Sequence, residues 1–483
     1  MSTALLIDGE LVPGSAGTFD TVNPATEEVL GQAASADAAD LDRAIAAARR
    51  AFDDTDWSRD TALRVHCLRQ LHTALNDEIE HLRAITVAEV GAPVSLTYGG
   101  QLQMPVDGLS YIADLAENYS WTSDLGVASP LGRPTRRTAV REACGVAGAV
   151  TPWNFPHQLN LAKLGPALAA GNTVVLKAAP DTPWCAAEIG RIISERTDFP
   201  AGAVNIITSE DHGIGAQLTA DPRVDLVSFT GSTATGRAVM AAASQTITRV
   251  FLELGGKSAY IVLDDADLPA ACAAAAAGVA MHAGQGCAFT TRLLVPRAHY
   301  DDAVALASKA MAGIGFGDPA DPGTLCGPLI SARQRERVEG YLALALQEGG
   351  RFGCGGRRPA GMDRGFYIEP TVIAGLTNQA RAAREEIFGP VLVVLAHDGD
   401  ADAVRIANDS PYGLSGAVVG ADDDRVDWVA ARLRTGTINV NGGVWYSPDA
   451  PFGGYKQSGI GREMGLAGFE EYLETKLIAK GVR

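Results

Sequence analysis

No two cysteines in this 483-residue chain are spaced Cys-x-x-Cys, and their number, seven (Cys67, Cys144, Cys185, Cys272, Cys287, Cys326 and Cys354), is odd. Neither a disulfide framework nor a zinc knuckle is indicated, so reduced thiols and no metal are expected. Positive charge is also scarce. Lys plus Arg total 40 against 57 Asp plus Glu, and a net charge of −17 repels nucleic acid and anionic membrane surfaces, which excludes both as expected partners. No uninterrupted apolar run is long enough to span a bilayer, and residues 1–10 carry no basic stretch followed by an apolar core. A cytoplasmic location is expected. Apolar residues are plentiful, at 47%, and a chain of this length holds roughly three domains at ~150 residues each.

The pattern along the chain sorts into two kinds. Leu5 to Ile7 and Glu10 to Val12 flank Asp8-Gly9 as a short hairpin, and Asn23-Pro24-Ala25-Thr26 marks the next turn. Asp40 to Phe52 and Thr61 to Val90 have the apolar spacing of amphipathic surface helices. Val127 to Val140, with its proline and arginines, suits an exposed ribbon. Then short apolar runs, Gly145 to Val150, Thr173 to Leu176, Val204 to Ile207 and Leu226 to Phe229, alternate with helical stretches, the signature of a parallel sheet with crossover helices. A second α/β region begins after Gly255-Gly256, with strands at Ala259 to Leu263, Arg292 to Val295 and Val391 to Leu395. It closes in a glycine-rich block, Pro451 to Glu463, and Tyr472 to Ala479 is a candidate edge strand.

Five places carry candidate chemistry. Cys287 follows Gly284-Gln285-Gly286, just past a nearly all-alanine helical run, Asp267 to Met281, with Asp267 as its cap and Pro269 in its first turn. The small neighbours leave the sulfur room to meet a ligand, although a lone cysteine is more often an inert buried thiol. Leu226 to Gly236 reads as strand, glycine turn and helix start, which suits a pyrophosphate, yet it is neither a Walker loop nor GxGxxG. Lys177 ends a strand, where open α/β sheets bind ligands. Asn154, between Trp153 and Phe155, offers an amide to a developing oxyanion or simply caps a turn. Glu253, inside the apolar run Phe251 to Leu254, is a base candidate if buried and an ordinary edge-strand acid if not.

Together these signals resemble the aldehyde dehydrogenase superfamily. The resemblance rests on seven motifs in order: Trp153-Asn154-Phe155-Pro156, Leu176-Lys177, Phe229-Thr230-Gly231-Ser232, Glu253-Leu254-Gly255-Gly256-Lys257-Ser258, Gly284-Gln285-Gly286-Cys287, Glu386-Ile387-Phe388-Gly389-Pro390, and Pro451 to Glu463. It implies an α/β fold of two Rossmann-like open-sheet domains plus a small β oligomerisation ribbon. By this resemblance residues 1–121 and 144–255 form the cofactor-binding domain, 256–457 the catalytic domain, and 122–143 with 458–483 the ribbon and tail of a homodimer or homotetramer. It implies Cys287 as nucleophile, Asn154 and the Cys287 N–H as oxyanion donors, Glu253 as base for thioester hydrolysis, and Lys163 as a helper in proton relay. For the cofactor it implies Trp153, Lys177, Pro180, Gly231, Ser232, Leu254, Glu386 and Phe388.

One departure concerns cofactor choice. NAD-preferring members often carry Glu three residues after the lysine, where this chain has Pro180, whereas Ser209-Glu210-Asp211 adds negative charge to the neighbouring loop. NAD is therefore expected, with NADP tolerated. The resemblance places His157, Leu159, Ala162, Phe289, Trp445 and Tyr446 along the substrate tunnel. With aromatics and no obvious Arg, this set suits an apolar or aromatic aldehyde rather than an acidic semialdehyde. Two other readings compete: a CoA-acylating relative, against which Glu253 argues, and a non-catalytic protein on the same fold, against which the intact trio Cys287, Glu253 and Asn154 argues.

Overall fold

The structure is a computed structural model and describes residues 3–482. Five parallel strands form the heart of its first sheet, in the order Arg249–Glu253, Leu226–Thr230, Val146–Val150, Thr173–Lys177, Val204–Ile207. The hairpin Leu5–Ile7 and Glu10–Val12 extends one edge antiparallel, and Gly459–Ile460 extends the other against Leu252 and Glu253. The central strands are buried along their length, Val146, Val174, Leu176 and Leu226 among them, as expected of a sheet covered on both faces. From Val146–Val150 the chain winds first toward Val204–Ile207 and then returns to the opposite side with Leu226–Thr230. The point where the winding reverses lies between these two neighbouring strands. In open α/β sheets the crevice beyond the carboxyl ends at such a point is where ligands bind.

The second sheet has seven strands, in the order Arg351–Cys354, Thr371–Ala374, Val391–His397, Arg292–Pro296, Ala259–Val262, Gly416–Val419, Asn439–Val440. All its pairings are parallel except that of Arg351–Cys354. The alanine-rich helix Leu268–Ala280 packs on it, capped by Asp267, whose side chain accepts from the Ala270 N–H at 3.0 Å. A third sheet joins Thr122–Ala128, Thr135–Ala143 and Leu473–Gly481, all antiparallel, and leaves Leu125, Val127, Leu477 and Ile478 exposed.

One expectation changes. The continuous helix expected over Thr61 to Val90 divides into Thr61–Asp77 and Ile79–Ile85, then loosens into a π turn at Thr86–Val90, because Glu78 leaves helical geometry (φ −107°, ψ 16°). A sequence pattern carries apolar periodicity across such a break without registering it. The exposed ribbon expected at Val127 to Val140 is present, as two paired strands joined by the turn at Pro130–Gly132. Among the described residues no helix is long and apolar enough to cross a membrane.

Candidate active site

Motifs distant in sequence meet where the two large sheets face each other. The linker after Glu253 passes between them, and its glycines are dictated by contact. A Cβ on Gly256 would sit 2.5 Å from the Cys287 carbonyl oxygen, and one on Gly255 would sit 2.5 Å from Glu386 Oε2. The Cys287 loop and Glu386 thus both press on backbone that has no side chain. Glu386 Oε1 accepts the Gly256 N–H at 2.9 Å.

Cys287 follows the helix Leu268–Ala280 through a short turn, Met281–Gly284, in which His282, Ala283 and Gly284 all have left-handed backbone (φ 48°, 51° and 72°). The side chain of Gln285 anchors this loop, donating to the carbonyls of His282 (3.2 Å) and Pro328 (3.3 Å) and accepting from the Ile330 N–H (2.9 Å). Burial, reinforced by the charges of Glu253, Glu386 and Glu463, pushes the Cys287 thiol well above its ordinary value. At rest it is a thiol, and its reaction as a nucleophile requires a proton acceptor.

Across from it, Asn154 lies in the loop between the strand Val146–Val150 and the helix Pro156–Ala169. Its Nδ2 donates to the Gln285 carbonyl at 2.9 Å, which spends one of its two N–H groups and leaves the other for a ligand. Glu253 ends its strand 1% exposed. Its Oε1 accepts the Gly454 N–H at 3.2 Å and its Oε2 has no partner among the described residues. Burial, then the charge of Glu463, raises this carboxyl well above the ordinary range, with Lys163 opposing. Lys163 is fully buried and donates to Glu463 Oε1 at 2.7 Å and to Ser228 Oγ at 2.9 Å.

A cavity of about 580 Å³ opens onto Cys287 and Asn154, a size suited to a small ligand. Leu159, Phe289, Trp445 and Tyr446 line it, with Phe155 and Phe452 adding aromatic surface. Trp445 stacks on Phe452 at 4.5 Å. No described Lys or Arg lines the cavity, and its single charged residue is Glu463. Two residues assigned to the tunnel lie elsewhere. His157 is fully buried in the first turn of its helix, with neither ring nitrogen partnered, and burial lowers its pKa to about 4. Helical spacing turns its ring inward while presenting Gln158 and Leu159 to the cavity. Ala162 lines a smaller adjacent pocket, divided from the main cavity by Gln158, Tyr446 and Met464, where the Tyr446 hydroxyl donates to Gln158 Oε1.

The cofactor candidates follow the carboxyl ends of the first sheet. Lys177 is buried at its strand end, and burial brings its ammonium down to about 8 against the pull of Asp181 and Asp211. Pro180 directly precedes Asp181, which is half-buried and whose carboxyl that partial burial raises. The Gly231 N–H donates to the Glu253 carbonyl at 3.0 Å. Ser232 caps the helix Thr233–Ala243, accepting the Thr235 N–H at 3.1 Å, so its hydroxyl supports the helix start rather than standing free. Leu254 covers that helix at Gly236, where a Cβ would lie 2.6 Å away. Trp153 meets Phe388 edge-on at 5.4 Å, and Phe388 holds left-handed backbone (φ 63°) with its carbonyl bound by Gln334 Nε2 at 2.7 Å.

Sequence reasoning missed Glu463, Gln285, Gln101 and His282. Glu463 ends a glycine-rich block and carried no signal of burial. It becomes visible only through its ion pair with Lys163.

A parallel-sheet crevice beside a half-buried thiol, a buried carboxyl and an amide is an arrangement able to support covalent catalysis next to a nucleotide. Comparison with known proteins agrees: the model of the Aldehyde dehydrogenase family matches residues 11–478, and the chain belongs to that family. It is 41% identical over 481 residues to 3-succinoylsemialdehyde-pyridine dehydrogenase of Pseudomonas sp, covering 98% of this chain and 97% of that one. The structure resembles betaine aldehyde dehydrogenase of Staphylococcus aureus in complex with NAD+, at TM-score 0.96, 35% identity and coverage of 99% and 95% of the two chains. It also resembles a Pseudomonas syringae aldehyde dehydrogenase mutant complexed with NAD+ and octanal, at TM-score 0.93, 38% identity and coverage of 99% and 96%.

Proposed function

We propose that the protein oxidises an apolar or aromatic aldehyde to its carboxylic acid with NAD, through a thioester on Cys287. The observation that carries this reading is the convergence of Cys287 and the spare N–H of Asn154 on one cavity, with Glu253 and the Lys163–Glu463 pair behind them. The Cys287 thiol releases its proton to water in the cavity and reacts as the thiolate; the sulfur adds to the aldehyde carbon, and the oxyanion takes hydrogen bonds from Asn154 Nδ2 and the Cys287 backbone N–H. NAD, when bound at the first sheet's carboxyl edge, supplies the hydride acceptor. Glu253 then takes a proton from the water that cleaves the thioester, a role suited to a carboxyl held well above its ordinary range by burial, and Lys163 with Glu463 relays that proton. Lys177, Glu386, Phe388 and the start of the helix Thr233–Ala243 would hold the cofactor, with Trp153, Pro180, Gly231, Ser232 and Leu254 around them. The fit is supported by Gly255, whose missing Cβ leaves Glu386 its place.

The aromatic, cation-free cavity supports the substrate class, since nothing in its lining pairs with a second carboxylate. The relative whose name denotes a pyridine-bearing aldehyde, and the one holding octanal, point the same way. NAD over NADP is supported by Asp181 and Asp211 beside Lys177, two acidic groups unfavourable to a 2′-phosphate. Residues 1–121 with 144–255, 256–457, and 122–143 with the tail are inferred as cofactor, catalytic and oligomerisation parts. Gly459–Ile460 pairs with the first sheet, so within 458–483 the ribbon strand proper begins at Leu473. Exposed Leu125, Val127, Leu477 and Ile478 favour a homo-oligomer, and seven free cysteines favour the reducing cytoplasm. The test is absorbance of reduced nicotinamide with NAD or NADP and a panel of alkanals, aromatic aldehydes and semialdehydes. Efficient succinate semialdehyde turnover beside poor benzaldehyde and octanal turnover refutes the substrate class.

A further inference from the structure

Two side chains from separate parts of the chain donate to one atom, the backbone carbonyl oxygen of Asn154. Gln101 Nε2, from the loop before the helix Gln103–Asn118, reaches it at 3.0 Å, and His282 Nε2, from the turn before the nucleophile, reaches it at 2.8 Å. All three residues are buried. Among the described residues His282 Nδ1 has no partner, and burial lowers the imidazole to about 4, so the ring is neutral and carries its one proton on Nε2, where the acceptor lies.

His282 is bound on its other side into the cysteine loop. Its N–H donates to the Leu325 carbonyl at 3.1 Å, and its own carbonyl accepts from the Gln285 N–H at 3.1 Å and from Gln285 Nε2 at 3.2 Å. Its left-handed backbone, shared with Ala283 and Gly284, is a conformation that non-glycine residues hold only where surrounding contacts enforce it. The ring also meets Phe155 edge-on at 5.3 Å. The loop carrying the nucleophile and the loop carrying the oxyanion donor are therefore tied twice. One tie runs from Asn154 Nδ2 to the Gln285 carbonyl, and the other from His282 to the Asn154 carbonyl.

We infer that His282, assisted by Gln101, is a positioning residue that fixes the Asn154 peptide plane and thereby aims the amide at the oxyanion formed on addition of Cys287. The orientation of that plane sets the direction of the Asn154 side chain, and a misplacement of about 1 Å in such a group costs roughly 100-fold in rate. The inference rests on Asn154 being the oxyanion donor.

The test is a double-mutant cycle on the full-length protein. The readouts are the single-turnover rate of reduced nicotinamide formation with NAD and saturating aldehyde, NAD affinity from fluorescence, and Tm. His282→Leu is expected to slow the single turnover by about 10- to 100-fold while NAD affinity stays within about twofold, and His282→Gln, which keeps a donor, is expected to recover most of it. In an Asn154→Ala background, His282→Leu is expected to cost less than about twofold more, because residues acting through one group are not additive. An additive effect there, a His282→Gln variant as slow as His282→Leu, or a His282→Leu rate unchanged from wild type overturns the inference. Should His282→Leu fail to fold, Gln101→Met carries the same cycle. It removes the second donor together with Gln101 Oε1, a buried acceptor without a partner. An Asn154→Ala variant with undiminished single turnover overturns the oxyanion reading itself, whereas a slow Asn154→Ala with additive His282 effects overturns the positioning role alone.

Discussion

Replacing Glu253 by Gln separates its proton chemistry from its shape. The amide oxygen retains the bond from the Gly454 N–H, now 3.2 Å to Oε1, and the volume is unchanged. What is lost is the ability to take a proton from water, which contributes roughly 10²- to 10⁴-fold in general-base steps. Glu253→Gln is therefore expected to give a burst of reduced nicotinamide of about one equivalent per site, followed by a steady state slowed by that factor. Because the Glu253 charge helps raise the Cys287 thiol, its removal is expected to shift the pH dependence of the burst to lower pH. Wild-type steady-state turnover should rise with pH through a value above the ordinary carboxylate range, since burial raises this base, and that limb should vanish in the variant. Stability carries an independent sign. The folded protein keeps a proton that the unfolded chain releases once pH passes the ordinary glutamate value of 4.5, so Glu253 increasingly destabilises the fold as pH rises toward its folded value. The Tm of Glu253→Gln should accordingly gain on wild type with rising pH. Stopped-flow absorbance and thermal scans measure both effects. Unchanged steady-state turnover across the pH range refutes Glu253 as the base.

Three further outcomes follow from contacts in the same site. Lys163→Met leaves Glu463 buried without its 2.7 Å partner and should destabilise by roughly 3–5 kcal/mol, with Lys163→Met/Glu463→Leu regaining most of the lost Tm; comparable Tm values for single and double variants contradict the coupling. Gly256→Ala sets a Cβ 2.5 Å from the Cys287 carbonyl oxygen, so the nucleophile loop must shift, and single turnover should slow by roughly 100-fold in a protein that still binds NAD. A rate near wild type would show that the loop yields without consequence. Comparison of kcat/KM for the two nicotinamide cofactors should favour NAD, given Asp181 and Asp211 beside Lys177, and a strong NADP preference sinks that argument.

The sequence made the parallel strands legible because strands buried on both faces read as continuous apolar runs. Val146–Val150 and Leu226–Thr230 are of this kind. Asp267 announced its helix by the chemistry of capping. What stayed hidden depends on partners remote in the chain. Glu253 read equally well as an edge-strand acid, and its burial follows from Gly459–Ile460 covering that edge some 200 residues later (|i−j| = 201 for its bond to Gly454). His157 was placed in the tunnel by family resemblance, but one helical step separates the cavity face from the core. Gln101 and His282 carry no local motif at all. Their role emerges from a shared acceptor 53 and 128 positions away.

The central claim is a covalent acyl group on Cys287. Glu253→Gln, mixed with NAD and an aromatic aldehyde and quenched in acid after one turnover, should gain the mass of the aldehyde less two hydrogens, and peptide mapping should place that mass on the peptide carrying Cys287. An unmodified chain, or a modification that persists at another residue in Cys287→Ala, contradicts the account.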